Sequence, residues 1–389
     1  MKTTIKTATR FFLLLFFVTG KIDAQTENSN TKINLSFKGQ FSSWENINPG
    51  ISFPSNTGGR YIPQLNFEIS TEGECLIDFE ASANIYGSMA LDPFDAAEFN
   101  AKIKPYRFWA RYSTHQLELR AGLQKINFGS ASLLRPLMWF DQVDPRDPLK
   151  LTDGVLGVLG RYYFLNNANV WLWSLLGNDN RKGWEVIPSK KNIPEFGGRI
   201  QLPVPRGEAA FSFHRRTADA SRIAPMAQNS NEFPENRFGF DTKLDLTVGL
   251  WLEGAWINKR ENVGFYTNQE MLNAGMDYTF GIGNGLTVVF EQLLALYDEK
   301  PFGTEQQLSF STLNLSYSLG LFDDLSLIFY YDWTNNSVYN FINWQKQFNK
   351  ITLFAMGYIN PKNYSIPTQG TGENIFAGSG LQFMIVFNH

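Results

Sequence analysis

The chain ends in Leu381-Gln382-Phe383-Met384-Ile385-Val386-Phe387-Asn388-His389. Leu381, Phe383, Ile385 and Phe387 share one parity, while Gln382, Met384, Val386 and Asn388 share the other. Side chains along a strand point alternately to its two faces, so this is a strand with one greasy face. The pattern recurs upstream. Asp78, Glu80, Ser82 and Asn84 alternate with Ile77, Phe79, Ala81 and Ala83, and Arg237, Asp241, Lys243 and Asp245 alternate with Phe238, Phe240, Leu244 and Leu246. A two-residue period repeated this often predicts an all-β fold, an antiparallel transmembrane β-barrel. Soluble sandwiches and propellers alternate too, so the assignment needs support from elsewhere in the chain.

The N-terminus supplies some. Lys2, Lys6 and Arg10 precede the apolar run 11–18, and Ile22-Asp23-Ala24 closes the segment before Gln25. This reads as a secretory signal over 1–24, followed by a short periplasmic leader over 25–31 and a barrel over 32–389. The apolar run is far shorter than the roughly 20 residues a membrane-spanning helix needs. With Cys75 as the one cysteine, no intrachain disulfide forms and a small stapled secreted fold is excluded. The signal carries four basic residues (Lys2, Lys6, Arg10, Lys21) and one acidic (Asp23), leaving 30 basic against 36 acidic and a formal charge of −6. That balance, without a basic run, argues against nucleic acid as a partner. An aromatic share of 15% suits rings placed at both water–membrane boundaries.

Eighteen strands are expected, with sixteen as the competing number, and an even count leaves both termini on the periplasmic side. Among them, 117–129 reads as one strand. The segment 306–319 breaks phase, Leu308 and Phe310 against Leu313, Leu315 and Tyr317, which suggests a β-bulge. Connectors alternate between short turns, such as Thr114-His115 and Pro205-Arg206-Gly207, and long loops, such as 46–58, 130–153, 179–194, 219–234 and 361–376. Short periplasmic turns and long extracellular loops are the habit of outer-membrane barrels.

If the apolar set faces lipid, the opposite set lines the interior. It comprises Asp78 and Glu80; Arg107 and Arg111; Glu118, Arg120 and Gln124; Glu208 and Arg216; Asp241, Lys243 and Asp245; Glu253; Glu291; and Asp332. Arg or Lys on the lipid face at the bilayer midplane costs about 2–4 kcal/mol, which accounts for the single parity of these charges. They either form cross-wall ion pairs and hydrate the interior or shape the field a solute crosses.

The segment 130–153, SASLLRPLMWFDQVDPRDPLKLTD, combines Pro136, Pro145 and Pro148 with the apolar run 137–140 and charges of both signs. Leaving Leu137, Met138, Trp139 and Phe140 in water costs roughly 25 cal/mol per Å² of apolar surface, so they should pack against something. Two placements are open. The loop folds into the barrel as a constriction with Arg135, Asp141, Asp144, Arg146 and Asp147 at its narrowest point, or it caps the rim through Asp-Pro turns.

The stretch Leu119-Arg120-Ala121-Gly122-Leu123-Gln124-Lys125-Ile126-Asn127-Phe128-Gly129, followed by Asp144-Pro145-Arg146-Asp147, resembles the R-x-G-x-Q … G … N-P-x-D pattern of bacterial outer-membrane porin-like barrels of the alginate-export and phosphate-selective type. The resemblance implies a porin of a Gram-negative bacterium, and the aromatic- and Asn-rich style is similar to Bacteroidota barrels. Asp144 stands where the pattern has Asn, and no lysine ladder for phosphate can be read, so no substrate is carried over.

Some outer-membrane barrels are hydrolases, which need a nucleophile beside a histidine. Of the three histidines, His115 falls in a turn, His389 ends the chain and His214 shares a strand face with Ser212. No HExxH, GxSxG or P-loop accompanies them. The expectation is therefore a non-enzymatic outer-membrane channel, passive or weakly selective for small hydrophilic solutes, with a non-conducting docking or assembly barrel as the alternative. No cofactor or metal is implied. Expected partners are outer-membrane lipid, the solute, the barrel-assembly machinery through the C-terminal strand and, as an open option, further copies of the chain.

Overall fold

A computed structural model describes residues 31–49, 55–71, 75–91, 98–221, 231–362 and 376–389. The expected signal, the leader up to residue 30 and the middles of several connectors lie outside the described residues. The strands are β1 (Thr31–Ile47), β2 (Ser55–Thr71), β3 (Cys75–Leu91), β4 (Glu98–Ser113), β5 (Leu117–Gln124), β6 (Val155–Tyr163), β7 (Asn169–Leu175), β8 (Glu195–Val204) and β9 (Gly207–Asp219). They continue as β10 (Glu232–Asp245), β11 (Gly249–Lys259), β12 (Asn268–Phe280), β13 (Leu286–Asp298), β14 (Gln306–Ser318), β15 (Asp323–Asp332), β16 (Ser337–Gln347), β17 (Ile351–Ile359) and β18 (Ser379–Asn388).

Each strand pairs antiparallel with its sequence neighbours, and β1 pairs with β18 from Gln40↔Asn388 to Ile47↔Leu381. The sheet is thereby closed. Hydrocarbon offers no partner to a free N–H or C=O, so closure is what allows strands to cross a bilayer. Along β18, Leu381, Phe383 and Ile385 are exposed on the outer wall, while Gln382, Met384 and Val386 are buried inside. The count is eighteen, and short connectors such as 114–116, 205–206 and 246–248 lie at one end of the barrel. The connectors 125–154 and 176–194 lie at the other.

Three expectations about the strands need correction. The pairing of β14 with β13 and β15 runs without a register shift, so 306–319 holds no bulge. Leu308 and Phe310 instead point inward and join an apolar cluster inside the barrel. The register shift lies between β3 and β4, where Ser82 pairs with Arg107 and Ala83 with Pro105, leaving Tyr106 as the extra residue. Pro105 has no N–H to give the ladder, which makes a bulge inexpensive beside it. Finally, β5 stops at Gln124 and not at 129, and Thr31 already belongs to β1.

Gly122 marks the place where β5 leaves regular geometry. Its φ is 122°, and a Cβ there would run into the backbone of Phe108 and Trp109 on β4. Gly122→Val should therefore cost about 1–3 kcal/mol in backbone strain plus the clash. The expected outcome is loss of the heat-sensitive, fast-migrating folded band in gel electrophoresis of outer membranes.

Candidate functional site

Past Gln124 the chain turns into the barrel, and Ile126 and Phe128 are buried there. Two carboxylates draw the loop across. Glu253 on β11 shares its inward face with Trp251, Ala255 and Ile257, and Glu291 on β13 shares its own with Leu293 and Ala295. Such surroundings make a bare carboxylate costly, so each needs donors. The loop backbone supplies them. Glu291 accepts the N–H groups of Ser132 at 2.7 Å, Leu133 at 3.1 Å and Leu134 at 2.7 Å, together with the Ser132 hydroxyl at 3.0 Å. Glu253 accepts the N–H groups of Ala131 at 2.9 Å and Leu137 at 2.7 Å. Between them Asn273 on β12 donates to Leu134 O at 2.7 Å. Successive backbone N–H groups converging on an anion form a nest, and these charge-assisted bonds are about twice as strong as neutral ones.

Shape follows the polar anchors. Leu137 and Trp139 occupy the space a side chain on Gly239 of β10 would fill. Leu134, Leu137, Trp139 and Phe140 are each at most 3% exposed and pack with Phe128, Trp173, Phe310 and Tyr330. Of the two placements open to segment 130–153, the geometry is the inward one.

The five charged loop residues divide into two groups. Arg135 and Asp141 pair at 2.7 Å within the loop's own packing, where Arg135 also donates to Phe128 O and Trp184 donates to Arg135 O. They brace the loop. Asp144, Arg146 and Asp147 are half-buried farther along. Arg146 binds Asp144 through two nitrogens, at 2.7 and 2.6 Å, with its guanidinium over the rings of Phe341 and Phe376. Asp147 accepts the N–H groups of Leu149 and Leu151. Burial pushes the Asp147 carboxyl above its usual range, against those two N–H groups and the charge of Arg60. Leu149 packs on Phe354, Met384 and Val386. The loop then returns to β4, where Arg107 donates to Thr152 O at 2.9 Å and Lys104 meets Asp153 at 2.6 Å. It thus touches the wall at β10–β13, again at β15–β18, and finally at β4.

On the wall of β2–β6 the expected interior residues face inward. Arg111 binds Asp78 at 2.8 Å, and Glu118 lies 3.0 Å from Arg120, 3.7 Å from Arg161 and 3.9 Å from Arg111. Aromatic rings fix several of these cations. Arg60 lies over Trp44 and Tyr86, Arg120 over Trp109, and Arg161 over Trp171 at 3.8 Å. Gln124 donates to Gly157 O at 3.0 Å and is fully buried at the point where the loop departs. Asp241 is taken by Arg199 at 2.5 Å, whereas Lys243 is half-buried two residues nearer the turn end.

Sequence reasoning missed a second inward loop, 176–194. Glu185 reaches Arg237 at 2.7 Å and Arg216 at 3.5 Å, Glu235 holds both arginines, and Lys182 donates to Gly154 O. Its signal was present in Trp184, Val186 and Ile187, apolar residues in a loop like those of 137–140. Lone glutamates in the apolar stretches Leu250–Ile257 and Val288–Leu296 likewise marked Glu253 and Glu291 as acceptors for something internal. The hydrolase candidate is not assembled. His214 is fully buried with one ring nitrogen facing Trp173 and the other facing Glu195, and Ser212 accepts from Arg199.

No protein-family model matches the sequence, and no curated protein matches it. Solved structures do. OccAB2 of Acinetobacter baumannii is 10% identical with a TM-score of 0.55 over 92% of this chain and 98% of that one. OccAB4 of the same organism is 8% identical with a TM-score of 0.55 over 95% and 99%. OccK7 (OpdD) of Pseudomonas aeruginosa is 10% identical with a TM-score of 0.54 over 93% and 99%. At this identity the likeness shows a shared fold alone, a closed antiparallel β-barrel. An 18-strand barrel with this outer wall belongs in the outer membrane.

Removing the acceptor of the nest should free the loop. Glu291→Ala leaves three backbone N–H groups without their acceptor, at about 1–3 kcal/mol each. Limited proteolysis of the folded barrel should then cut within 130–153 at least tenfold faster than in the parent, and Glu291→Gln should fall between the two.

Proposed function

We propose that the protein is a porin-like channel through which small hydrophilic solutes diffuse passively and with weak selectivity. The observation that carries this reading is the division of the interior. The two inward loops, with the apolar side chains and buried ion pairs that hold them, lie mainly on the side of β7–β18, whereas arginines stacked on aromatic rings and their carboxylates line the side of β2–β6. Arg60, Arg120 and Arg161 each retain a buried Nε–H that no protein group accepts. Buried donors of this kind are met by ordered water.

In this reading loop 125–154 acts as the constriction, with Asp144, Arg146 and Asp147 on the loop and Arg60 on the wall, whose charge reaches Asp147. A solute exchanges hydration water for these fixed charges, and the concentration gradient drives transport. The weak selectivity follows from cations and anions standing on both sides. The alternative of a non-conducting docking barrel draws support from the same loops, because they fill much of the interior.

Planar-bilayer recording separates the two readings. The parent should conduct, deletion of 132–151 should raise single-channel conductance at least twofold, and Arg60→Ala with Arg120→Ala should shift the reversal potential toward cation preference. Conductance unchanged by the deletion overturns the constriction. A parent that never conducts favours the docking barrel.

A further inference from the structure

The outer wall is not uniformly smooth. On β10–β13 a depression of about 460 Å³ opens toward the lipid side. Its floor is Gly254, set between Phe240 on β10 and Leu272 on β12, its cross-strand neighbours. One row nearer the long-loop end, Trp256 stacks on Phe238 with centroids 5.3 Å apart and meets the ring of Phe302 at 5.7 Å.

A carboxylate closes that end. Glu270 is paired across from Trp256 and Leu296, shares the outward parity of Leu272 and Met276, and borders the depression. It is only 8% exposed, covered by Phe302 of the 299–305 connector. One carboxylate oxygen accepts the Phe302 N–H at 2.9 Å, and the other, itself buried, has no hydrogen-bond partner in the protein. An ionisable group on the membrane face of a span is costly and calls for a stated partner.

We propose that this depression is a lipid-binding site, in which one acyl chain lies over Gly254 and the lipid's polar end donates a hydrogen bond, from a hydroxyl or amide N–H, to Glu270. Three features select a lipid. The depression lies on the wall that hydrocarbon covers; its lining is apolar except for Glu270; and Glu270 is the third residue of β12 from its long-loop end, so the polar group stands at the end of the depression nearer water. Polarity along the depression thus runs in the same direction as polarity along a lipid. Glu270 needs a donor, so a chain ending in acceptors alone binds less well.

The test uses the full-length barrel in detergent and native mass spectrometry, with dodecanoyl ethanolamide as the donor-bearing probe and methyl dodecanoate as the donor-free one. The parent should retain one ethanolamide and hold it at least fivefold better than the ester. A side chain on Gly254 meets no atom closer than 3.7 Å, so Gly254→Leu should fold, as heat-sensitive gel migration checks, and lose both probes. Glu270→Leu should keep chain binding but lose the preference. Equal retention by the parent and Gly254→Leu overturns the proposal, as does an undiminished preference in Glu270→Leu. A dimer in the parent that Gly254→Leu converts to monomer assigns the depression to a second copy of the chain, and likewise overturns it.

Discussion

Hydrocarbon accepts and donates no hydrogen bonds, and the closed ladder from β1 to β18 is the response to that constraint. Closure creates two surfaces with different solvents. The outer wall meets lipid and exposes large apolar residues such as Phe211, Leu272 and Phe383, and the inner wall is free to carry arginine and glutamate. Once the sheet has closed, the interior is too wide for wall side chains alone to fill, which leaves room for whole loops.

Within that interior two buried carboxylates govern the arrangement. Glu253 and Glu291 stand on apolar strand faces where ionised groups survive only with donors, and the nearest donors are the backbone N–H groups of 131–137. The interaction is reciprocal. The loop satisfies the carboxylates, and the carboxylates satisfy a stretch of backbone that has no strand to pair with. The apolar run 137–140 then packs on Gly239 and Trp173, so polar and apolar terms hold the same position. A second clamp of Arg216, Arg237, Glu185 and Glu235 fixes loop 176–194 against the neighbouring wall.

The two halves of the interior differ in kind as a result. On β2–β6, guanidinium groups rest on aromatic faces and pair with Glu118, which limits their conformational freedom. On β7–β18, the wall is occupied by the loops, held there by apolar packing and by buried carboxylates and arginines. In the proposed channel, a solute passing between them would meet charges that are already in place, with little reorganisation at each step.

The sequence alone pointed to eighteen strands with sixteen still open, to the facing of most of them and to the segregation of long loops at one end, because a period of two and the turn residues are local properties. It also singled out 130–153, since proline, apolar and charged residues in one loop conflict with free solvent exposure. Tertiary structure decided the rest. Leu308 and Phe310 read as a phase error because the pattern assumes that inward means polar, whereas the docked loops make part of the inside apolar. The roles of Glu253, Glu291 and Asn273 depend on backbone groups more than a hundred residues away, and His214 became a core residue through Trp173 and Glu195 on neighbouring strands. Strand periodicity encodes which face a residue occupies, but what that face meets is set by long-range packing, which no local pattern contains.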